Sequence, residues 1–502
     1  GLITGNYSSI SIDSAAADSY LSAPASTDVL KESAYVTWTP VSGADGYNVY
    51  CKPIGGSYVQ LDSMLIRQYS GYFRADAVGL KPGSYVMKVV PTADGKEDTS
   101  KAVESDAITV GSYDRSGFAF SKNSPNGGTG VGAYNDDGTL KDDAIVLYLT
   151  EETKKTMKFD VKGSSGYVSC TGLVEILDAY SDGYDSRPLN IRIIGKVTAD
   201  GVVGANSDTN NLNLKTNNTK RIVKNITIEG IGDDAVCYGF GIRGLKIQSV
   251  EIRNIGIMLF GDDGIAFETA NKNIWVHNND IFYGTAGGDA DQAKGDGSLD
   301  LKNDSQYFTI SYNHFWDSGK MSLCGMKSET GENWITYHHN WFDHSDSRHP
   351  RIRTMSVHVY NNYYDGNAKY GVGAVLDADA FVEANYFRNC KYPMLICGQG
   401  SDTGTFDDGV GAMIKSYGNY IEGAKGYITQ NESSTSFDAY EVSSRNDKVP
   451  DSVKSLDGMG YNNFDTDSSI MYSYTADAAA DVPAIVMSEA GRCLLYTSPS
   501  PR

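Results

Sequence analysis

One short pattern repeats many times through the central and C-terminal parts of the chain. Each copy is a run of β-branched and aromatic residues that ends near an asparagine, as in SQYFTISYNHFW, ENWITYHHNWF and MSVHVYNNYY. The asparagines recur at intervals of 22 to 34 residues, and the shortest intervals leave little room for helices between strands. They are Asn254, Asn279, Asn313, Asn340, Asn362, Asn385 and Asn419. Repeats of this size predict a solenoid in which each strand pairs with its counterpart in the next coil.

The asparagines also favour one kind of solenoid. Stacked asparagine side chains can hydrogen-bond to one another along the axis, and stacked aromatic side chains pack beneath them. An ordinary β-sandwich, the alternative, would not need an asparagine in every repeat. The pattern therefore predicts a parallel β-helix, right- or left-handed. Its longest intervals indicate loops between coils, where a binding surface is usually built.

Composition agrees with an all-β protein of two or three domains. The 502 residues include 54 glycines and 34 tyrosines but only 13 prolines, as expected for many strands and turns. No apolar run approaches the roughly 20 residues that span a bilayer, so we expect no membrane partner. The net charge of −20 argues against nucleic acid and is typical of solubility outside the cell. Because the chain begins at Gly1 without a visible signal peptide, we expect a mature form or a fragment of a secreted, extracellular, monomeric protein.

A different pattern precedes the repeats. Between 27 and 112, short strands alternate with turns, as in SAYVTWTPV, GYNVYCKPI and GSYVMKVVPTADGK, which predicts a small β-sandwich. Trp38, the GYNVY strand and the LKPGSYVMKV turn and strand resemble fibronectin type III-like modules. That resemblance implies a spacer more readily than a sugar-binding unit.

The remaining boundaries follow from shifts in composition. Residues 1–26 are rich in Ser and Ala and are predicted to be a linker or frayed segment. Gly and Ser crowd between 111 and 132, so the β-helix is predicted over 113–492. The last ten residues, CLLYTSPSPR at 493–502, break the composition abruptly and are predicted to be a non-native tail.

The seven cysteines have no metal-binding spacing. No CxxC pair occurs among them, which argues against a metal–thiolate site. Cys390 and Cys397 could form a disulfide, although buried free thiols are expected for most of the set. The cysteines are at positions 51, 170, 237, 324, 390, 397 and 493.

Charged residues of both signs gather in the stretch from 296 to 353. Spaced carboxylates come first, then a lysine, then three arginines: Asp296, Asp300, Lys320, Arg348, Arg351 and Arg353. Carboxylates can hold a hard cation, and the basic side chains can hold an anion. The stretch therefore suggests a site for a polyanionic substrate, and a bound cation would help an acidic protein to hold it.

Four segments, WVHNNDIF, DGSLDL, SGKMSLCG and RHPRIR, stand in an order and spacing that resemble the pectate lyases of polysaccharide lyase family 1. The resemblance runs from about 120 to 490 and depends on the combination, since each segment alone is a weak signal. It implies a right-handed parallel β-helix enzyme that cleaves polygalacturonate by calcium-dependent β-elimination. The implied products are 4,5-unsaturated oligogalacturonates.

The resemblance also implies residue roles. The matched calcium ligands are Asp263, Asp296 and Asp300; the substrate-binding residues are Lys320 and Arg353; the catalytic arginine is Arg348. Asp262 is an additional calcium candidate, and the role of Arg351 is open. The chain departs from the family pattern where His277 and Asn278 replace a frequent Asp–His pair.

Geometry limits how these carboxylates can share an ion. Asp296 and Asp300 would lie about 13 Å apart on a straight strand, so a shared ion requires a bend, which Gly297 permits. Asp263, one coil earlier, would lie about 5 Å away if the coils stack in register. Calcium takes six to eight oxygen ligands, so a few carboxylates leave positions open for a substrate carboxylate.

The expected chemistry starts at the acidic C5–H of galacturonate. A cation and Lys320 would neutralise the adjacent carboxylate and stabilise the enolate-like charge that forms when the proton leaves. A free guanidinium loses its proton only under strongly alkaline conditions, so an arginine base favours alkaline pH.

Three other functions are alternatives to a pectate lyase. A polygalacturonase would hydrolyse the same polymer with paired carboxylates, but its Gly-His-Gly and Arg-Ile-Lys signatures are absent from the sequence. A pectin lyase would act on methylated polymer without calcium, which the acidic trio argues against. A non-catalytic carbohydrate-binding or adhesion β-helix would keep the repeats without the site. The seven histidines have no HxH or HExxH spacing, so most are expected to be coil or core residues.

Overall fold

A computed structural model describes residues 10–12, 19–205, 207, 209–284, 296–326, 329, 332–406 and 409–492. The predicted tail at 493–502, including Cys493, lies outside the described residues, as does most of the predicted 1–26 linker.

Three long parallel sheets wind through the chain from 145 to 441, which confirms the predicted parallel β-helix. Successive strands of one sheet come from successive coils and pair in parallel, and each sheet is named here by its strands. Sheet A contains Ile145–Leu149, Leu189–Ile193, Lys224–Gly230, Gln248–Arg253, Lys272–His277, Gln306–Ser311, Trp334–His338, Ser356–Tyr360, Asp379–Glu383, Met413–Tyr417 and Tyr440–Glu441. Sheet B contains Lys196–Thr198, Val236–Tyr238, Gly256–Met258, Asp280–Phe282, His314–Trp316, Trp341–Asp343, Tyr363–Asp365, Tyr386–Arg388 and Tyr420–Glu422. Sheet C contains Asn211–Lys215, Gly241–Leu245, Ile265–Thr269, Leu299–Leu301, Leu323–Cys324, Arg351–Arg353, Tyr370–Val375 and Tyr392–Ile396.

The core fills the space between the sheets with stacked apolar side chains. Because side chains alternate across a strand, every second residue of each strand points inward. In sheet A one such row is buried in eight successive coils: Ile226, Val250, Ile274, Phe308, Ile335, Val357, Ala380 and Ile414. Repeating the apolar positions with the coil length therefore produces one continuous core.

The predicted asparagine ladder runs along the turn between sheets A and B. The amide Nδ2 of each member donates to the Oδ1 of the next at 3.0 to 3.1 Å, through Asn279, Asn313, Asn340, Asn362, Asn385 and Asn419. Asn254 does not belong to this ladder, because Ile255 occupies the equivalent position and its N–H donates to Oδ1 of Asn279. Asn254 has a φ of 55° instead, which suits the left-handed turn just before the ladder position.

The N-terminal region forms two smaller sheets around a separate core, consistent with the predicted sandwich. One contains Ile10–Ile12, Leu21–Pro24, Ser33–Trp38, Ile66–Tyr69 and Tyr72–Val78; the other contains Val29–Lys31, Gly46–Pro53, Val59–Gln60, Gly83–Ala93, Lys96–Glu97, Val103–Glu104 and Ile108–Gly111. Trp38 lies in the shared core, stacked on Phe73 with ring centres 5.7 Å apart. The fibronectin likeness and the boundary at 112 stay predictions.

The remaining elements are short. A hairpin pairs Lys158–Gly163 with Gly166–Thr171, and the described residues include two α-helices, Leu173–Tyr180 and Val482–Glu489. Five 3₁₀ turns are described at Ser63–Leu65, Thr99–Lys101, Phe118–Phe120, Phe464–Thr466 and Ala479–Asp481. None of the described helices is both long and apolar enough to cross a membrane. The six described cysteines are buried and are not joined in disulfides, so Cys390 and Cys397 do not form the pair considered from the sequence.

Candidate active site

The predicted site residues gather on the outer face of sheet C and on the turns beside it. In this sheet the inward row is Phe267, Leu301, Cys324, Ile352 and Ala374, which are all buried. Asp300, Arg351 and Arg353 are neighbours of these residues along their strands, so their side chains leave from the opposite, outer face. Stacking the coils thus brings carboxylates and guanidiniums from four separate strands or turns to one surface.

Three carboxylates meet where two successive coils enter sheet C. Asp262, Asp263 and Asp296 each offer an oxygen, and these oxygens lie within 4.8 Å of one another. The backbone fixes the arrangement, because the N–H of Asp296 donates to the carbonyl of Asp262 at 2.6 Å and the N–H of Gly297 donates to Oδ1 of Asp263 at 2.8 Å. The structure therefore brings together two of the three predicted ligands and adds Asp262, which the sequence left as a candidate.

Asp300 lies at the edge of this carboxylate cluster. Its Oδ1 accepts a hydrogen bond of 2.8 Å from the N–H of Leu323. Asp300 does not belong to the group of described residues whose carboxylate oxygens all lie within 4.8 Å of one another. A Cβ added to Gly297 would lie 2.5 Å from Oδ1 of Asp300, so the close approach requires glycine there. The calcium role of Asp300 stays a prediction.

Burial and mutual repulsion shape the protonation of these carboxyl groups. Burial is the largest cause that raises the pKa of Asp263, which is 1% exposed, and the charges of Asp300 and Asp262 raise it further. Burial followed by the charge of Asp296 also raises the pKa values of Asp262 and Asp300. Like charges that disfavour one another are relieved by a cation, and hard carboxylate oxygens suit calcium.

Lys320 connects the carboxylates to the arginines. Its Nζ lies 3.4 Å from Oδ1 of Asp296, and its side chain is 19% exposed. Its backbone forms a parallel bridge with Ser347, the residue before Arg348. The ammonium group can therefore contact a ligand that spans the acidic and basic parts of the site.

The arginine turn is held by buried neighbours. His349 follows Arg348 and is fully buried: its Nδ1 donates to the carbonyl of Tyr370 at 2.7 Å, and its Nε2 accepts from Oγ of Ser345 at 2.6 Å. Its carbonyl accepts from the hydroxyl of Tyr364 at 2.6 Å. Burial lowers the pKa of His349 to about 4, so this imidazole is neutral. Its hydrogen bonds stabilise the conformation of the turn.

The charges of the three arginines act on one hydroxyl group, that of Tyr370. Burial raises the pKa of Tyr370 to about 12, although the charges of Arg351, Arg348 and Arg353 act to lower it. The guanidinium of Arg351 also lies 5.0 Å above the ring of Phe406. The RHPRIR segment therefore presents a dense positive charge on the outer face of sheet C.

Sequence reasoning missed two contributors to this site. Lys302 lowers the pKa values of Asp262, Asp263 and Asp300, so its ammonium group lies near the carboxylates. Its position two residues after Asp300 on an outward face was a usable signal. Tyr370 comes from the coil after the arginines, and no local pattern in the sequence marks it.

The histidines mostly follow the expectation of coil and core residues. Six of the seven are buried, and His344 is exposed. Two further groups have metal-compatible spacing, Asp114 with His338 and His339, and Asp343 with His344 and Asp365. His277 packs between the rings of Trp275 and Tyr113 and lies 2.7 Å from Glu251, so it belongs to the packing of sheet A rather than to the site.

Comparisons with known proteins show which family this chain is similar to. A family model described as "Pectate lyase" matches residues 103–493. A pectate trisaccharide-lyase from Bacillus licheniformis is 31% identical over 225 residues, which are 44% of this chain and 62% of that protein. Pectate lyase 3 from Pectobacterium carotovorum is 36% identical over 196 residues, which are 38% of this chain and 52% of that protein. The chain thus matches between 52% and 62% of the length of these relatives.

A solved structure supports the fold independently. Pectate lyase Bsp165PelA from Bacillus sp. N165, crystallised in complex with trigalacturonate, superposes with a TM-score of 0.52 at 24% identity. The superposition covers 75% of this chain and 98% of that one. The two chains share the β-helix architecture.

Proposed function

Because the chain belongs to the pectate lyase family, we propose that it cleaves de-esterified pectin, polygalacturonate, by calcium-dependent β-elimination. The products are 4,5-unsaturated oligogalacturonates. The observation that carries this proposal is the meeting of a carboxylate cluster and an arginine cluster on one outer face of sheet C. Polygalacturonate has a carboxylate on every sugar. One sugar carboxylate can bind a cation held by the carboxylate cluster, and the next ones can bind the arginines.

The carboxylate cluster fits a calcium ion. Asp263 and Asp296 supply oxygens within 4.8 Å of each other, together with the adjacent Asp262, and Asp300 stands beside them. Calcium bound there supplies Lewis-acid stabilisation to a substrate carboxylate. The raised pKa values of Asp262, Asp263 and Asp300 support this fit, because each carboxyl group is ionised more readily with a cation present.

The basic residues position and deprotonate the sugar. Lys320 and Arg353 bind substrate carboxylates, and Arg348 in its neutral form takes the C5 proton. The electron pair of the C5–H bond becomes the C4–C5 double bond, and the O4 oxygen leaves with the electron pair of the C4–O4 bond and then gains a proton. Positive charge near the C6 carboxylate stabilises the negative charge that develops in this step.

The remaining parts of the proposal concern context. We expect the enzyme to be secreted and to act as a monomer, with the N-terminal module as a fibronectin type III-like spacer. These statements have their own tests, namely the location of the full-length protein, its mass in solution and the activity of the β-helix without residues 1–112.

One assay separates the proposed reaction from its alternatives. Incubation with polygalacturonate and calcium at alkaline pH should produce unsaturated ends that absorb in the ultraviolet, and a chelator should stop their formation. Undiminished product in chelator would refute the calcium dependence, and preference for fully methylated polymer would indicate a pectin lyase. Binding without product would favour the non-catalytic carbohydrate-binding alternative.

A further inference from the structure

A polar groove lies on the same face of sheet C, on the N-terminal side of the carboxylate cluster. It has a volume of about 320 Å³. Its walls include Ser207, Thr209, Asn213, Lys215, Arg243 and Leu245. None of these residues has a role in the reaction described above.

The strand register places this groove in line with the candidate active site. Asn213 pairs with Arg243, Arg243 with Ala266, and Ala266 with Asp300. Adjacent strands are about 4.8 Å apart, so the backbone of Arg243 lies about 10 Å from that of Asp300. Ala266, between them, has a side chain too short to block a ligand that passes over the sheet.

Positively charged side chains line the groove. The backbone register places Arg243 on the outer face of sheet C, two strands before Asp300, and its guanidinium is paired with Glu268 at 2.6 Å. Lys215 adds a second cation to the groove wall. In a protein of net charge −20, this arrangement extends the positive strip of Lys320 and the arginines past the carboxylates.

The groove also contains unmet hydrogen-bonding groups. Oδ1 of Asn213 and Nε of Arg243 are buried and have no hydrogen-bond partner among the described residues. Glu268 holds Arg243 through Nη2 at 2.6 Å, which orients the guanidinium and leaves Nε available. Arg243 is 29% exposed, so a small side-chain rotation brings these groups to a ligand in the groove. A buried polar group without a partner is uncommon in native proteins, and a ligand is one explanation for it.

We infer that this groove is an accessory subsite that binds a uronate unit of the substrate beyond the bond that is cleaved. The guanidinium of Arg243 and the ammonium of Lys215 contact the sugar carboxylate, and Oδ1 of Asn213 accepts a hydrogen bond from a sugar hydroxyl. This inference rests on the proposed function, because it assigns the groove to the same polymer.

The test compares long and short substrates in an Arg243→Gln variant. The subsite predicts that KM for polygalacturonate rises about tenfold, while kcat for the polymer and both constants for a trimer stay unchanged. Arg243→Lys, which keeps the charge but loses the planar fork, should fall between wild type and Arg243→Gln. Lys196→Gln removes one positive charge on sheet B and is the matched control, with wild-type constants expected.

Two outcomes overturn the inference. An unchanged KM for the polymer in Arg243→Gln would exclude the subsite, and so would an equal loss on polymer and trimer. If wild type forms no unsaturated product, the proposed function fails, and calorimetric titration with a galacturonate hexamer decides the groove separately. Weaker binding in Arg243→Gln than in wild type and Lys196→Gln supports the subsite, and equal binding refutes it.

Discussion

Arg348 adopts a backbone conformation that is unusual for an arginine. Its φ is 66°, in the left-handed region, where a side chain with a Cβ is disfavoured by about 1 to 2 kcal/mol. The neighbouring contacts of His349 with Tyr370, Ser345 and Tyr364 hold the turn in this conformation. The surrounding contacts therefore maintain the backbone strain at Arg348, a conformation that other non-glycine residues of the chain, such as Lys246 and Glu32, also adopt.

Arg348→Gly should separate activity from stability. Glycine adopts positive φ freely, so the variant should retain the wild-type melting temperature or exceed it, with a gain of up to about 1 kcal/mol. Formation of unsaturated product should be lost, because the proposed base is gone. Arg348→Lys is the control: it keeps both the strain and the charge, and it should also be inactive at wild-type stability. Near-full activity in either variant would remove Arg348 from the role of base.

His349→Ala should loosen the arginine turn without removing a charged group. The variant loses two short side-chain hydrogen bonds and leaves a cavity, so the free energy of unfolding should fall by about 3 kcal/mol. We expect kcat to fall more than KM rises, since misplacement of Arg348 affects the proton transfer most directly. Thermal unfolding and steady-state kinetics measure the two effects, and a wild-type kcat would show that the turn does not depend on this imidazole.

Asp263 makes stability without calcium depend on pH. Its folded-state pKa is raised, so above about pH 4 the folded protein binds more protons at this carboxyl group than the unfolded chain does. This contribution to stability therefore decreases as pH rises toward the folded-state pKa. Calcium offsets the loss, so the calcium-induced rise in melting temperature should be larger in mildly alkaline than in mildly acidic buffer. Asp263→Asn should abolish most of that difference, and an undiminished calcium effect in the variant would contradict the assignment.

The asparagine ladder is the element that defines each coil. Each member of the ladder uses its amide group to join three strands of backbone: Nδ2 of Asn340 donates to the carbonyl of Ile310 at 2.9 Å and to Asn362, and its Oδ1 accepts from Asn313. The polar atoms of the turn therefore have hydrogen-bond partners inside the protein. Successive coils can stack without buried water molecules to satisfy these atoms.

Substitution within the ladder should cost more at its centre than at its end. Asn340→Leu leaves several buried polar groups without partners, so we expect a loss of about 3 to 5 kcal/mol in unfolding free energy. Asn419 ends the ladder and is only half-buried, so Asn419→Leu is the matched control with a smaller loss. Denaturant unfolding of both variants compares them, and equal losses would show that the ladder is not cooperative.

Sequence predicted this element better than it predicted the site. The coil repeat could be predicted because an asparagine recurs at the same position in successive coils. Only Asn254 was wrongly assigned to the ladder, whose equivalent position is Ile255. The carboxylate cluster depended on a local bend that pairs Asp296 with Asp262, which no periodic pattern encodes. Tyr370 reaches the arginines from a later coil, and such adjacency follows from strand register rather than from sequence distance.

At the scale of the whole molecule, the N-terminal module is fastened to the β-helix by buried charges. Glu32 of the module is fully buried, and its carboxylate accepts hydrogen bonds from Arg115 at 2.6 and 2.9 Å. The same carboxylate lies 3.7 Å from Arg253 of sheet A. A second ion pair joins Arg74 of the module to Asp233 of the β-helix region at 3.8 Å. A module that is held by these ion pairs keeps a fixed position against the β-helix instead of swinging freely.

Glu32→Ala should uncouple the two parts of the molecule. Removing Glu32 takes away the closest carboxylate of Arg115, while Arg253 keeps Glu229 and Glu251. Breaking a buried ion pair in this way costs about 3 to 5 kcal/mol. We expect calorimetry to show one unfolding transition for wild type and, for Glu32→Ala, an additional earlier transition from the module. Glu97→Ala, an exposed carboxylate of the same module that bonds only Asn48 and Tyr50 in the described contacts, is the control and should unfold like wild type. Two well-separated transitions already in wild type would show that the network does not couple the module to the β-helix. Because the buried charges lie away from the outer face of sheet C, product formation below the first transition should be the same in all three proteins.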